Sequence, residues 1–424
     1  MTNKADLIKR KRLKILVTGV HEMNCNGETG QFISLFCYLK KKYPEAIFHI
    51  GELNGDISER QLERALGEEV NSVKFYKALT SPKIPWTIRV VSLFLRQTLL
   101  YPGCDIVIHL CTDGYSDRVL PSKFLSTLGV IGHSYQMLCG RLFGKPVVAC
   151  STTIGPFDYT FTRNIARFTL NRITGITARE EDTIKYLQEL KVKSAIKSVA
   201  DLAFLVEASP KAAVEATLQK AGVNTHKPLF GIAPSQIVAK RNRGSETAEQ
   251  KYEAYITSMA DIVDKMADKG CEVVILCQTT SQKYDDSVVA ARIKERARYK
   301  PAIFDNRSYS PQVIKGIMQR CEIVFSSKLH SAIFAISEGT PTVTIAYAPK
   351  VYSIIGNMLH LPNSLVEIRT QDFPSLVKEI NDKIDRCWQE RETIRLALRR
   401  TNPGIKDLAN RNIAYIAEII EQRR

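Results

Sequence analysis

The sequence predicts an α/β protein built from two successive doubly wound domains. Three observations carry that prediction. Short apolar runs of strand length alternate with helical patterns along most of the 424 residues. The alternation breaks once, around Glu207 to Pro228, and then starts again. The length, at about 150 residues per domain, gives two or three domains. With 44% hydrophobic and 25% charged residues, the chain has an ordinary globular composition and a core that needs no disulfide or metal.

The first series opens with a strand, Lys14-Ile-Leu-Val-Thr18, and a Gly- and Asn-bearing loop from His21 to Gly27. A helix follows from about Glu28 to Lys42, where Phe32, Leu35, Phe36 and Leu39 recur at three- to four-residue spacing. Buried strands are predicted at 47–50, 105–109, 146–150, 175–178 and 196–200, with helices at 160–172 and 180–190. A short polar helix starts at Pro210 and ends near Gly222, and Asn224 to Pro228 reads as linker. The second series has strands at 229–233, 272–277, 302–304, 322–325 and 342–345, and helices at 246–269, 285–298, 311–319 and 329–337. Two further helices, 373–395 and 405–422, close the chain. The domains are therefore placed at 1–207 and 229–365, with a linker at 208–228 and C-terminal helices at 366–424. In open α/β sheets ligands sit beyond the C-terminal ends of the strands. Functional residues are expected just after strands, facing a cleft between the domains.

Lys plus Arg exceed Asp plus Glu by 60 to 44, a net charge of +16. Such a surface attracts anions: anionic lipid, phosphorylated substrates or nucleic acid. No zinc-finger spacing and no aromatic-rich basic strand of the RNA-recognition type is present, which argues against nucleic acid. The N-terminus has charge but no apolar signal region, no run approaches the ~20 apolar residues of a spanning helix, and the ten cysteines lie mostly within or beside apolar runs. These features predict a cytoplasmic protein with reduced thiols. The amphipathic stretch Trp86 to Leu100, with Arg89 and Arg96, would suit a peripheral position at a membrane surface; the alternative is a core-facing helix.

A dinucleotide fingerprint and a P-loop are both absent, and no Asp-x-Asp occurs. The last absence argues against a metal-dependent sugar transferase. Cys104, His109 and Cys111 are close in sequence but lack a structural zinc spacing, and are read as packing residues at a strand end. The strongest segment runs from Cys321 to Lys350. A strand ends at Phe325, and Ser326-Ser-Lys-Leu-His330 opens a helix that Ser327 can cap. Lys328 adds charge to the positive helix end, and His330 adds a titratable group. Another strand ends near Tyr347, followed by Lys350.

This segment resembles the polysaccharide pyruvyl transferases, whose signature is Ser-x-Arg-Leu-His, a small-residue helix ending in Gly-x-Pro, an apolar strand and Tyr-x-x-Lys. Here it reads Ser326-Ser-Lys-Leu-His, Glu338-Gly-Thr-Pro and Tyr347-Ala-Pro-Lys350. The likeness extends upstream: Lys14-Ile-Leu-Val-Thr-Gly with Asn26-Gly-Glu28, Gly144-Lys-Pro-Val-Val with Ile154-Gly-Pro156, Ile176-Thr-Ala-Arg179-Glu, and Val199-Ala-Asp201-Leu-Ala-Phe. Two departures stand out. Lys328 replaces the family Arg, a point charge in place of a two-pronged grip. Cys111-Thr-Asp113-Gly114-Tyr-Ser-Asp117 replaces a Gly-Gly-Gly turn on the acceptor side.

The resemblance implies two Rossmann-like domains facing across a cleft, similar to the GT-B arrangement. It implies pyruvate transfer from phosphoenolpyruvate to two hydroxyls of a sugar in a cell-surface polysaccharide or lipid-linked glycan, with loss of phosphate and formation of a ketal. His330 is the expected general acid/base. Lys328, Lys350, Arg179 and the loop carrying Lys240, Arg241 and Arg243 are candidate cations for the doubly anionic donor, with Ser327 and Tyr347 beside them. Arg179 is alternatively an ion-pair partner of Glu180 or Glu181, and the basic loop alternatively a solvated turn. Asn26, Glu28 and Asp113 are candidates for acceptor hydroxyls; Glu28 is alternatively a helix N-terminal charge. No cofactor or metal is expected. The competing readings are a metal-independent glycosyltransferase of the same frame using a nucleotide sugar, and a non-catalytic glycan-binding protein.

Overall fold

The computed structural model describes residues 12–20, 23–53, 57–79, 84–111, 114–118, 122–235, 247–281, 284–368 and 373–423. Two parallel sheets organise them. The first has seven strands: β1 (Lys14–Thr18), β2 (Ile47–Glu52), β3 (Val73–Lys77), β4 (Ile106–Leu110), β5 (Val147–Thr152), β6 (Gly175–Ala178) and β7 (Ala195–Ser198), in the order 3-2-1-4-5-6-7. The second has six: β8 (Leu229–Ala233), β9 (Glu272–Leu276), β10 (Ala302–Phe304), β11 (Ile323–Ser326), β12 (Thr342–Ala346) and β13 (Leu365–Glu367), in the order 10-9-8-11-12-13. The order reverses between β1 and β4 in one sheet and between β8 and β11 in the other, which places each domain's ligand crevice at the ends of those two strands.

The strands are apolar on both faces because helices cover both. Along β1, Ile15 and Val17 join one core while Leu16 joins another, and all three are buried. The first core is continuous across the two domains. It is closed by α1 (Asn26–Lys42) of the first domain meeting α11 (Leu329–Ser337) of the second. The meeting is close because two glycines one turn apart face it. A Cβ on Gly30 would lie 2.9 Å from Val206 Cγ2 and 3.1 Å from Phe334 Cζ. A Cβ on Gly27 would lie 2.1 Å from the His330 ring, inside any van der Waals contact.

The second core lies beneath α3 (Trp86–Thr98), α4 (Lys123–Leu142) and α5 (Thr160–Leu170). Sequence patterning gave no helix at α4 and no strands at β3 and β13. The α4 segment is apolar around most of its circumference, so helical periodicity is weak; Phe124 and Leu142 stay 70% and 83% exposed.

The C-terminal region is one helix, Phe373–Glu421 (α12), and not the two expected. Pro403 lies inside it and costs a backbone hydrogen bond. Burial on both sides of the proline outweighs that cost. Ile380, Ile384 and Leu398 precede it and Ala409 and Ile416 follow, all buried. The helix spans both domains. Its Asn402 Nδ2 donates to the Ile336 carbonyl at 2.7 Å in the second domain, and its Asn412 Oδ1 accepts from Thr177 Oγ1 at 2.6 Å in the first. All ten cysteines are free.

Candidate active site

Three segments far apart in sequence meet where α1 faces α11. Arg179 directly follows β6 and is fully buried. Asp201 begins the short 3-10 turn Leu202–Leu205, where its Oδ1 accepts from the Ala203 amide at 2.8 Å. Arg179 Nη1 donates to Asp201 Oδ2 at 2.6 Å, and Gln31 Nε2 of α1 donates to Asp201 Oδ1 at 2.8 Å. His330, in the first turn of α11, sets its Nε2 3.6 Å from Asp201 Oδ2, an ion-pair distance that leaves Nε2 without a hydrogen bond. Burial alone would push Asp201 up. Arg179, His330 and the Ala203 amide outweigh it and hold the carboxyl well below the usual range.

The other partner of His330 is Cys25, which no sequence reading singled out. Cys25 sits just before α1 and bridges to Thr279 of the second domain. The next residue, Asn26, donates its amide to the Gln278 carbonyl at 2.8 Å. Burial would raise the Cys25 thiol, but hydrogen bonding and charge from His330, with Lys328 and Thr279, bring it down to about 6. Burial would lower His330, but Asp201 and Cys25 raise it to about 9. Between those values the pair is a thiolate beside an imidazolium. Asp201, His330 and Cys25 thus form a chain of alternating charge across the domain seam, backed by Arg179.

Lys328 is committed elsewhere in the same cluster. Its Nζ lies 2.7 Å from Asp286 Oδ2 and donates to Thr279 Oγ1 at 2.7 Å. Asp286 also accepts from the Gln278 and Thr279 amides. Burial raises the Asp286 carboxyl and Lys328 opposes the rise. Arg179 likewise lies 3.5 Å from the buried Glu180 as well as pairing with Asp201, in line with the ion-pair alternative. Glu180 is pushed up by burial, against Arg179, hydrogen bonds from Thr183 and Thr153, and Lys350, whose charge reaches it from the second domain.

Ser327 does not cap α11. Its hydroxyl lies 2.9 Å from Tyr255 OH, which accepts from the Ser235 amide; the Lys328 amide is met instead by Ser326 Oγ at 3.1 Å. The reason is position: Lys328, not Ser327, is the residue flanking the helix. Tyr347 is buried at the end of β12, with Lys350 Nζ 6.0 Å from its ring centre. Asn26 is buried at the seam with Oδ1 unpartnered among the described residues. Glu28 stands in the first turn of α1. Lys240, Arg241, Arg243 and Asp113 lie outside the described residues. The buried Gln278 side chain has neither amide end paired among them. Buried polar groups without partners are uncommon and costly, and mark places where water or ligand completes the bonding.

The three residues read together as packing separate. Cys104 precedes β4 and bonds to the Tyr101 carbonyl. His109 and Cys111, at the other end of β4, meet His133 of α4, which sequence spacing had not linked to them.

Asp201 and Cys25 were not expected at the site, for different reasons. Asp201 lies in the Val199-Ala-Asp-Leu-Ala-Phe204 segment, but its partner Arg179 is 22 residues away and cannot be read from sequence alone. Cys25 carries no signal of its own, and only the fold brings it to His330.

Comparison with known proteins agrees with this architecture. The chain is 23% identical over 342 residues to the amylovoran biosynthesis protein AmsJ of Erwinia amylovora, covering 78% of this chain and 75% of that protein. Its fold resembles a structure described as a UDP-N-acetylglucosamine 2-epimerase from Listeria monocytogenes (TM-score 0.61, 13% identity, 97% of each chain). It also resembles the UDP-GlcNAc 2-epimerase of Neisseria meningitidis (TM-score 0.56, 12% identity, 97% of this chain and 100% of that one). These two show the fold: paired parallel-sheet domains in the GT-B arrangement. The polysaccharide pyruvyl transferase family matches residues 31–349, a span that holds Arg179, Asp201, Lys328, His330 and Tyr347, and the chain belongs to that family.

Proposed function

We propose that this protein transfers the pyruvyl unit of phosphoenolpyruvate to two hydroxyls of a sugar in a polysaccharide or lipid-linked glycan, at His330. The observation that carries the reading is His330 at the domain seam, its Nε2 3.6 Å from Asp201 Oδ2, with Asp201 and Cys25 raising its pKa against burial. The imidazolium gives its proton to C3 of the donor, and C2 becomes electrophilic. One sugar hydroxyl bonds to C2, the C2–O bond to phosphate breaks, and the second hydroxyl closes the ketal. Of the two hydroxyl protons, one restores His330 and the other leaves with phosphate. General acid catalysis of this kind is worth roughly 10²- to 10⁴-fold. Asp201 and Cys25 keep the ring protonated and oriented. Lys350, whose charge reaches Glu180, is proposed together with Lys240, Arg241 and Arg243 as a cation for the donor's carboxylate and phosphate; Lys328 and Arg179 each already pair with a buried carboxylate. The scheme invokes no cofactor.

A lipid-linked acceptor fits the outer face of the first domain. Helices α3, α4 and α5 contain no Asp or Glu. They expose Ile88, Leu95, Phe124, Phe161 and Phe168, with Arg96, Lys123, Arg163 and Arg167 also exposed among them. An apolar face with only cations matches an anionic bilayer surface. Among the described residues no helix is long and apolar enough to cross a membrane, so the contact would be peripheral.

Thermal shift separates the donors. Phosphoenolpyruvate should raise the melting temperature of the wild-type protein. Stabilisation by nucleotide sugars alone would reverse the assignment in favour of a glycosyltransferase, and stabilisation by glycan alone would favour a binding protein.

A further inference from the structure

The reversal of strand order in the first sheet carries a second cluster, which pyruvyl transfer at His330 does not use. His109 lies on β4 and is paired in register with Thr18 of β1; Cys111 follows β4; His133 comes from α4. One ligand atom from each lies within 4.8 Å of the others. We propose that His109, Cys111 and His133 form a binding site for a zinc ion at the crevice of the N-terminal domain.

The geometry supports it in three ways. Thr18 Oγ1 lies 2.9 Å from His109 Nδ1. A hydroxyl accepting the Nδ1 proton leaves the Nε2 lone pair facing the cluster, the arrangement in which an outer partner orients a metal-binding histidine. His109 Nε2 is 3.1 Å from His133 Nδ1, and Cys111 Sγ is 3.6 Å from His133 Nε2. Tetrahedral zinc, with Zn–N near 2.0–2.1 Å and Zn–S near 2.3 Å, sets ligand separations of about 3.3 Å for two nitrogens and about 3.6 Å for nitrogen and sulfur. Only one His133 nitrogen can bind, so the ring turns about its Cβ–Cγ bond. His133 is the half-buried member, whereas His109 and Cys111 are buried.

The third support is the surrounding backbone. A Cβ on Gly114 would lie 2.8 Å from Cys111 Sγ and 3.0 Å from His133 Nε2, so a side chain there would occupy the cluster's own space. Gly19, at φ +87, brings the end of β1 equally close, its Cβ position 3.1 Å from His109 Cε1.

Two imidazoles and a thiolate select zinc over magnesium or calcium, which take oxygen ligands. Binding converts the Cys111 thiol to thiolate and releases its proton. Three protein ligands leave a fourth position for water or a substrate oxygen, the pattern of an open zinc site.

The test needs no assay of pyruvyl transfer and stands or falls separately from it. The purified full chain is stripped with chelator, dialysed against zinc chloride and assayed for bound metal. A parallel sample takes cobalt(II), which gives a near-ultraviolet thiolate charge-transfer band. The expected result is one ion per chain, a charge-transfer band that Cys111→Ser abolishes, and at least about 10-fold weaker zinc binding in His133→Ala, whose ligand lies on a half-exposed helix face and whose folding is checked by circular dichroism. No stoichiometric zinc in the wild type, or unchanged binding in both variants, would mean that the three side chains form only a hydrogen-bonded chain, and would overturn the proposal.

Discussion

The two sheets reverse strand order in the same way, and each carries a polar cluster where it does, but the clusters are assembled by opposite means. At the β8–β11 reversal the groups are charged and buried, and their partners come from both domains. Arg179 and Asp201 of the first domain meet His330 of the second, and Cys25 meets His330 and Thr279. At the β1–β4 reversal Thr18, His109, Cys111 and His133 all belong to one domain and meet as hydrogen-bonding neighbours. The first cluster therefore exists only when the domains are together, and deleting one member strands a buried charge. The second should tolerate deletion better, because its members meet as hydrogen-bonding neighbours and losing one strands no buried ion pair.

The largest effect expected from this contrast is on chemistry. His330→Ala should lower phosphate release from phosphoenolpyruvate by roughly 10²- to 10⁴-fold. His133→Ala should do much less to that rate. Equal losses in the two would erase the distinction between the clusters.

Stability should separate them next. Asp201→Asn removes the buried carboxylate that Arg179 and His330 share and should cost about 3–5 kcal/mol in urea unfolding. Cys111→Ser should cost far less. Because Asp201 is depressed in the folded protein, its contribution is present above the ordinary carboxylate pKa and is lost as pH falls below it. His330 has the opposite sign. Its pKa is raised to about 9, so its contribution is full below its unfolded value of about 6.5 and disappears as pH rises through 9.

A smaller effect sharpens the role of Cys25. Its alkylation by iodoacetamide should titrate with a midpoint near 6, whereas the buried Cys150, pushed up to about 12, should remain unreactive. Cys25→Ser should shift the alkaline limb of the rate profile to lower pH, since the thiolate helps to keep His330 charged. An unchanged limb would leave Asp201 as the sole support of the ring.

The smallest effect concerns the outer face. Leu95→Asp should weaken cosedimentation with phosphatidylglycerol vesicles while leaving phosphate release toward a soluble acceptor unchanged. Leu95 is 62% exposed, so the substitution disturbs little packing.

Much of this was legible before the structure. Strands β6, β8 and β10 and the helix 329–337 begin and end where they were expected, because short runs dominated by apolar residues and bounded by polar ones set the length of a strand or helix packed in an α/β core. His330 and Lys328 stood out because a strand end, a helix start and two ionisable groups coincide within five residues. What sequence could not show is pairing at a distance. Lys328 reads as a donor-binding cation until Asp286, 42 residues earlier, is found 2.7 Å away. His133 carries no signal of its own in the sequence, and only the fold, which packs α4 against β4, brings it beside His109 and Cys111. The two C-terminal stretches expected at 373–395 and 405–422 join into one helix across Pro403, and burial against both domains explains its continuity.

The most direct measurement is the reaction of the wild-type protein with carbon-13-labelled phosphoenolpyruvate and a lipid-linked or polymeric sugar acceptor, followed by phosphate assay and NMR of the glycan. Phosphate release matched by a new quaternary ketal carbon on the sugar is the predicted result. A glycan that gains no label from phosphoenolpyruvate but accepts sugar from a nucleotide donor would contradict the account.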